Sequence, residues 1–141
     1  TGVALGLSFP AGAQLDALAR ESDREFNIKM KLVDGCCSLS GVENKCLKMI
    51  SDGESDRDTA RFCIEYIAAA LSAMTEDALK RYGALPLVYS GGVMSNSIIK
   101  ERFTERFSAC FASPEFSCDN AAGTAYLAYL TCIKGHRDGR L

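Results

Sequence analysis

Residues 85–103 read LPLVYSGGVMSNSIIKERF. A short apolar run, Leu85 to Tyr89, breaks at Ser90-Gly91-Gly92, and a helical pattern begins after Asn96, with Ile98, Ile99, Phe103 and Phe107 on one side. A strand that passes through a glycine turn into a helix is half of an α/β unit. One flexible residue would suffice for the turn. Two glycines let a backbone lie close to a ligand, and a helix N-terminus behind them offers N–H groups to an oxygen-rich one. The candidate ligand is a nucleotide, with Asn96 hydrogen-bonding its polar edge. The plainer reading is a tight strand-to-helix turn with Ser95 or Asn96 as the helix cap.

Downstream, residues 109–112 form a second short apolar run, 113–120 a loop, and 121–133 an alanine-rich helix with Tyr126, Tyr129 and Ile133 on one stripe. The polar residues 134–141 are expected to fray. The order strand, turn, helix, strand, loop, helix predicts two adjacent parallel strands. Ligands of such sheets bind beyond the carboxyl ends of the strands. The Gly91-Gly92 turn and the loop at 115–120 both leave those ends, so they are expected side by side.

Upstream, Phe9-Pro10-Ala11-Gly12-Ala13 is turn chemistry, followed by helical spacing of Leu15, Leu18, Ala19 and Ser22. Ile28, Met30 and Leu32 alternate with Lys29 and Lys31, the pattern of a strand with one wet face. Asp34-Gly35 turns the chain, and 36–39 is a candidate short strand. Ser40-Gly41-Val42-Glu43 has the form of a capping box. The longest signal runs from Ala60 to Leu79 in steps of three and four, closed by Lys80-Arg81-Tyr82-Gly83. Leu85 to Tyr89 is apolar enough to be a strand covered on both faces.

The 141 residues are most simply one α/β domain over 1–133 with a polar tail over 134–141. A net charge of −2 argues against a dense basic nucleic-acid-binding face. No apolar run approaches the roughly 18 residues a membrane span needs, so no membrane contact is expected. Seven cysteines without a C-x-x-C spacing read as reduced thiols of a cytoplasmic protein. Zinc on Cys36, Cys37 and Cys46 would lack a usual ligand spacing. The single histidine, His136, sits in the tail and makes a poor base for a cysteine nucleophile. Asp119 and Asn120 precede the last helix. Either caps it, or Asp119, at the carboxyl end of a strand, holds a metal that bridges phosphate oxygens.

Four blocks occur in order: Leu5-Gly6-Leu7-Ser8-Phe9-Pro10-Ala11-Gly12-Ala13, Ser38-Leu39-Ser40-Gly41, Ser90-Gly91-Gly92-Val93-Met94-Ser95-Asn96, and Pro114-Glu115-Phe116-Ser117-Cys118-Asp119-Asn120-Ala121-Ala122. Together they resemble the tRNA adenosine threonylcarbamoyltransferase family, also called O-sialoglycoprotein endopeptidases or glycoproteases. The resemblance implies the C-terminal lobe of an actin-like, Hsp70-like ATPase fold (ribonuclease H-like). It implies a nucleotide or threonylcarbamoyl-adenylate in a cleft between two lobes, and transfer of the threonylcarbamoyl group to N6 of a tRNA adenosine. Gly12 and Asn96 then match nucleotide-contacting residues, with Gly91 and Gly92 shaping the turn. Asp119 matches one ligand of a divalent metal (iron, zinc or magnesium).

The family's metal histidines, phosphate loop and ribose aspartate would precede Thr1. The resemblance therefore implies the C-terminal half of a longer protein, inactive alone, with the metal shared with the other half. Expected partners are tRNA through the full-length protein, the family's partner subunits, and a homodimer of the isolated half through its exposed cleft face. Ala11 replaces a glycine of the usual Pro-Gly-Gly, and Glu43 stands where a lysine is usual. Those departures keep open a noncatalytic nucleotide-binding paralogue or scaffold. The metallopeptidase reading needs a complete metal–water site, which these residues do not supply.

Overall fold

The computed structural model describes residues 1–117 and 121–137. Its spine is α3 (Asp56–Tyr82), the 27-residue helix carrying the longest periodic signal. Ser55 accepts a hydrogen bond from the Asp58 N–H at its start, and Asp56 and Asp58 lie in its positive first turn. Lys80 and Arg81 in the last turn and Gly83 at φ 81° end it as the sequence predicts. Helix α1 (Gly12–Arg20), α2 (Ser40–Ser51) and α4 (Ser97–Phe107) all pack against α3. Ala60 and Ala68, both 0% exposed, leave little side chain between α3 and its neighbours. A short 3-10 turn (Val93–Ser95) precedes α4 and contributes Met94 to the core.

Strands β1 (Val88–Tyr89) and β2 (Cys110–Phe111) form a two-stranded parallel sheet, with Val88 opposite Cys110 and Tyr89 opposite Phe111. The Cys110 and Ala112 N–H groups donate to Leu87 and Tyr89 carbonyls at 2.9 Å. Inward, Tyr89 meets Phe103 edge-on at 5.3 Å and stacks on Phe111 at 5.5 Å, while its hydroxyl bonds Thr75 at 2.5 Å. Phe103 is the largest fully buried side chain among the described residues. The core is thus one side of a small sheet against α3 and α4, joined by Ala19 from α1. Buried Glu65 is held by Arg61 at 3.0 Å and Arg102 at 2.6 Å, so its charge is paired inside the fold.

Several elements differ from expectation. The run 85–89 is covered on one face only: Leu87 and Tyr89 turn inward, while Val88 is 73% and Leu85 59% exposed. Residues 28–32 keep their alternation, with Ile28, Met30 and Leu32 half-buried and Lys29 and Lys31 exposed. They have no sheet partner among the described residues, because alternation reports a buried face and not a pairing strand. The Asp34-Gly35 turn closes as expected, with both residues at positive φ between bridged Val33 and Cys36, but the bridge does not grow into a strand over 36–39. Ser40 is already inside α2 and Leu39 is its cap, so Ser40 makes no capping bond to the backbone; it pairs with Ser38 Oγ at 2.9 Å. The last helix, α5 (Ala121–Arg137), continues four residues beyond Ile133 before the described residues end. No helix among the described residues is long and apolar enough to cross a membrane.

Candidate functional site

A cavity of about 350 Å³ lies beyond the carboxyl end of β1, between the start of α1 and the start of α4. Gly12, Ala13 and Asp16 form one wall and Gly92, Ser95 and Asn96 the other; Ile64 and Ile67 of α3 line it between them. Segments about eighty positions apart in the chain therefore converge on one space, and they are two of the blocks singled out in the sequence.

The glycines divide by role. Gly91 has φ 106°, a backbone conformation that side-chain-bearing residues rarely adopt, so the turn itself demands it. Gly92 sits at φ −60° and ψ −35°, ordinary helical values. A Cβ built on Gly92 or on Gly12 meets no atom within 4 Å. The fold does not require glycine at either position, and both border the cavity.

Asn96 is the N-cap of α4: its Oδ1 accepts from the Ile99 N–H at 3.0 Å. What it can still offer a ligand is its amide NH₂. The Ser97 N–H is also taken, by Asp16 Oδ2 at 2.9 Å. Two of the first N–H groups of α4 are thus satisfied internally, contrary to the expectation that this helix presents them free. Of the two helix starts at the cavity, the one without a side-chain cap is that of α1, where Ala11 is the cap residue and Gly12 and Ala13 border the cavity.

Asp16 was not singled out in the sequence. Its Oδ2 clamps α4, and its Oδ1 is buried without a hydrogen-bond partner. A carboxylate oxygen in that state is an acceptor in want of a donor. The available signal was its place one helical turn after Gly12 on the same face. Arg20, one turn further, donates to Ser97 Oγ at 2.5 Å and pairs with Glu101 at 2.7 Å, binding α1 to α4 a second time.

Asp119, the metal-ligand candidate, lies outside the described residues, as does the tip of its loop. Among the described residues no group of three or more His, Cys, Asp or Glu side chains could hold a metal. The 3-10 turn at Pro114–Phe116 leaves β2 at the same end of the sheet from which the Gly91-Gly92 turn leaves β1, as the parallel topology requires.

The model of the family described as tRNA N6-adenosine threonylcarbamoyltransferase matches residues 1–126. Proteins named tRNA N6-adenosine threonylcarbamoyltransferase align along almost the whole chain. The one from Dehalococcoides mccartyi is 26% identical over 141 residues, covering 96% of this chain and 43% of the relative. The one from Streptococcus thermophilus is 29% identical, covering 96% and 44%, and that from Thermus thermophilus 31% identical, covering 89% and 40%. The chain spans less than half the length of the curated relatives it matches. A match that takes in the Gly12 turn, the Gly91-Gly92 turn and the loop after β2 together makes this chain a member of the tRNA N6-adenosine threonylcarbamoyltransferase family.

Proposed function

We propose that this chain is one lobe, actin-like in fold, of a tRNA N6-adenosine threonylcarbamoyltransferase, and that the cavity between α1 and α4 receives the adenosine part of the nucleotide substrate. The observation that carries this reading is the convergence of Gly12, Gly92 and Asn96 on one space, with glycines the backbone does not need. The chemistry fits a nucleoside. Apolar walls from Leu15, Ile64, Ile67 and Val93 suit a base. Asn96 offers a donor, and Asp16 Oδ1 an acceptor for a hydroxyl or amino group. A carboxylate repels phosphate, so the phosphates extend away from Asp16, toward the start of α1, which has no side-chain cap, or the rest of the protein. In this reading the chain binds and orients, and the remainder of the full-length protein completes the cleft and engages tRNA. Asp119 is the one metal ligand this chain would supply.

A noncatalytic nucleotide-binding relative is the competing reading, because Ala11, which departs from the family's Pro-Gly-Gly, caps the helix at the cavity's edge. The experiment gives the full-length protein threonylcarbamoyl-adenylate and unmodified tRNA, with and without partner subunits, and counts modified adenosine by mass spectrometry. Modified adenosine in the wild type, reduced about tenfold or more by a methyl group in the pocket in Gly92→Ala, supports the proposal. Wild-type modification that Gly92→Ala leaves unchanged removes the cavity from the reaction. Nucleotide binding with no modification under any pairing supports the noncatalytic relative.

A further inference from the structure

A groove of about 510 Å³ runs beside α3, on a different face from the nucleotide cavity. Residues 26–30 line one side, Arg102 and Arg106 of α4 another, and Ala69, Ser72 and Ala73 of α3 leave room between them. The bordering segment is held in place at both ends. Phe26 meets Phe62 of α3 edge-on at 5.2 Å. At the other end Val33 and Cys36 exchange backbone hydrogen bonds at 3.0 Å. The Gly35 turn there packs so close to α3 that a Cβ would lie 3.0 Å from Asp77 Oδ2. Between these anchors the side chains alternate inward and outward, yet no backbone N–H or carbonyl of residues 26–32 makes a hydrogen bond among the described residues. We propose that residues 26–32 are an open strand edge, and that the groove beside them takes an acidic, extended segment of a partner protein by strand addition.

The backbone selects the kind of occupant. A row of unpaired donors and acceptors fixed along a groove is matched residue by residue by another extended peptide. The dimensions agree. Residues 26–30 span about 16 Å if extended, and α3 from Glu65 to Glu76 rises by about the same length. Charge then chooses among strands. Lys29, Arg102 and Arg106 border the groove against Glu65 and Glu76, in a chain of net charge −2. Glu65 and Glu76 are already held by arginines, whereas Lys29 and Lys31, both exposed, make no ion pair among the described residues. They stand on the outer face, where the side chains of an added strand lie about 5 Å away. Acidic residues at alternate positions of that strand pair with them. The apolar residues between meet half-buried Ile28 and Met30 and the two alanines of α3. A second copy fits worse. Antiparallel pairing of this edge with itself sets outward residues opposite outward ones, so lysine faces lysine whether the pair centres on Lys29 or on Met30.

The test offers this chain a short fluorescent peptide in which glutamate and valine alternate. The controls carry lysine in place of glutamate, or glutamate throughout. Fluorescence anisotropy is expected to rank the glutamate–valine peptide about tenfold or more above either control. Amide hydrogen exchange of residues 26–32, read by NMR, is expected to slow about tenfold or more in the complex. Lys29→Glu combined with Lys31→Glu changes exposed side chains alone and is expected to reverse the preference between the two alternating peptides. Equal binding of the glutamate–valine and all-glutamate peptides, or unchanged exchange at residues 26–32, overturns the proposal and leaves a basic patch. Failure of all three peptides to bind overturns it as well. Binding to this chain that the full-length protein lacks also overturns it, and gives the edge to the rest of that protein.

Discussion

Asn96 caps α4 and borders the cavity, and a pair of substitutions separates the two roles. Asn96→Ala removes the acceptor of the 3.0 Å bond from the Ile99 N–H. Losing an N-cap of this kind costs about 1 kcal/mol. With an unfolding entropy of about 2 cal/mol/K per residue, a chain of 141 residues loses about 3–4 °C of melting temperature. Asn96→Asp keeps an acceptor in the same place and adds a negative charge at a helix N-terminus, so stability is unchanged or rises by a few tenths of a kcal/mol. Binding moves differently. Both variants lose the amide NH₂, and a hydrogen bond to a ligand is worth about 1 kcal/mol, more if the acceptor is charged. Affinity for an adenine nucleotide therefore falls about fivefold or more in Asn96→Ala. It falls further in Asn96→Asp, where the new carboxylate stands near Asp16 and the phosphates. The assays are thermal melts of this 141-residue chain by circular dichroism and isothermal calorimetry on the full-length protein. Wild-type affinity in Asn96→Asp would refute the binding role and leave Asn96 a cap. An unaltered melt in Asn96→Ala would refute the cap.

Two further outcomes follow from the fold and a third from the proposed function. Thr59 is fully buried and its Oγ1 has no hydrogen-bond partner, so Thr59→Val, of the same shape, is expected to raise stability by about 1 kcal/mol in urea melts. Asp58 is held below its ordinary value of 3.8 by hydrogen bonds from Ser22 and then Ser55, aided by Arg24. A carboxylate depressed in the folded state stabilises above its unfolded value and loses that contribution as pH falls through the folded one. Asp58→Asn should therefore lower the melting temperature at pH 6–7, and the gap to wild type should close below about pH 3.8. Asp119→Ala in the full-length protein is expected to lower its bound metal, read by elemental mass spectrometry after desalting.

Helices α3 and α4 were legible in the sequence because their apolar steps and end signals are local: Gly83 ends one, and Asn96 starts the other. The parallel pairing of β1 with β2 followed from the order of elements around the glycine turn. Residues 28–32 were read as a strand from their alternation, which the half-buried Ile28 and Met30 still obey. A ladder, however, needs a second strand, and nothing local reports whether one is present. The S-x-x-E pattern at Ser40 misplaced the cap by one residue, since Leu39 closes the preceding loop. In the cavity, Gly92 and Asn96 carry the local signature of a turn, and Gly12 is marked by the family resemblance. Asp16 has only its place one turn after Gly12 as a local sign, because its partner Ser97 is 81 positions away and the pairing exists only once α1 lies across α4.

That crossing has a consequence for how the cavity would take up a ligand. Asp16 and Arg20, one turn apart on α1, both grip Ser97 at the start of α4, and Arg20 also reaches Glu101. The distance between the two walls is therefore set during folding, before any ligand arrives. A pocket held in this way spends little ordering entropy on binding. Weakening the grip without touching a lining residue, as in Glu101→Gln, would leave every ligand contact available. The association would still lose affinity, through the entropy of two helices free to rock.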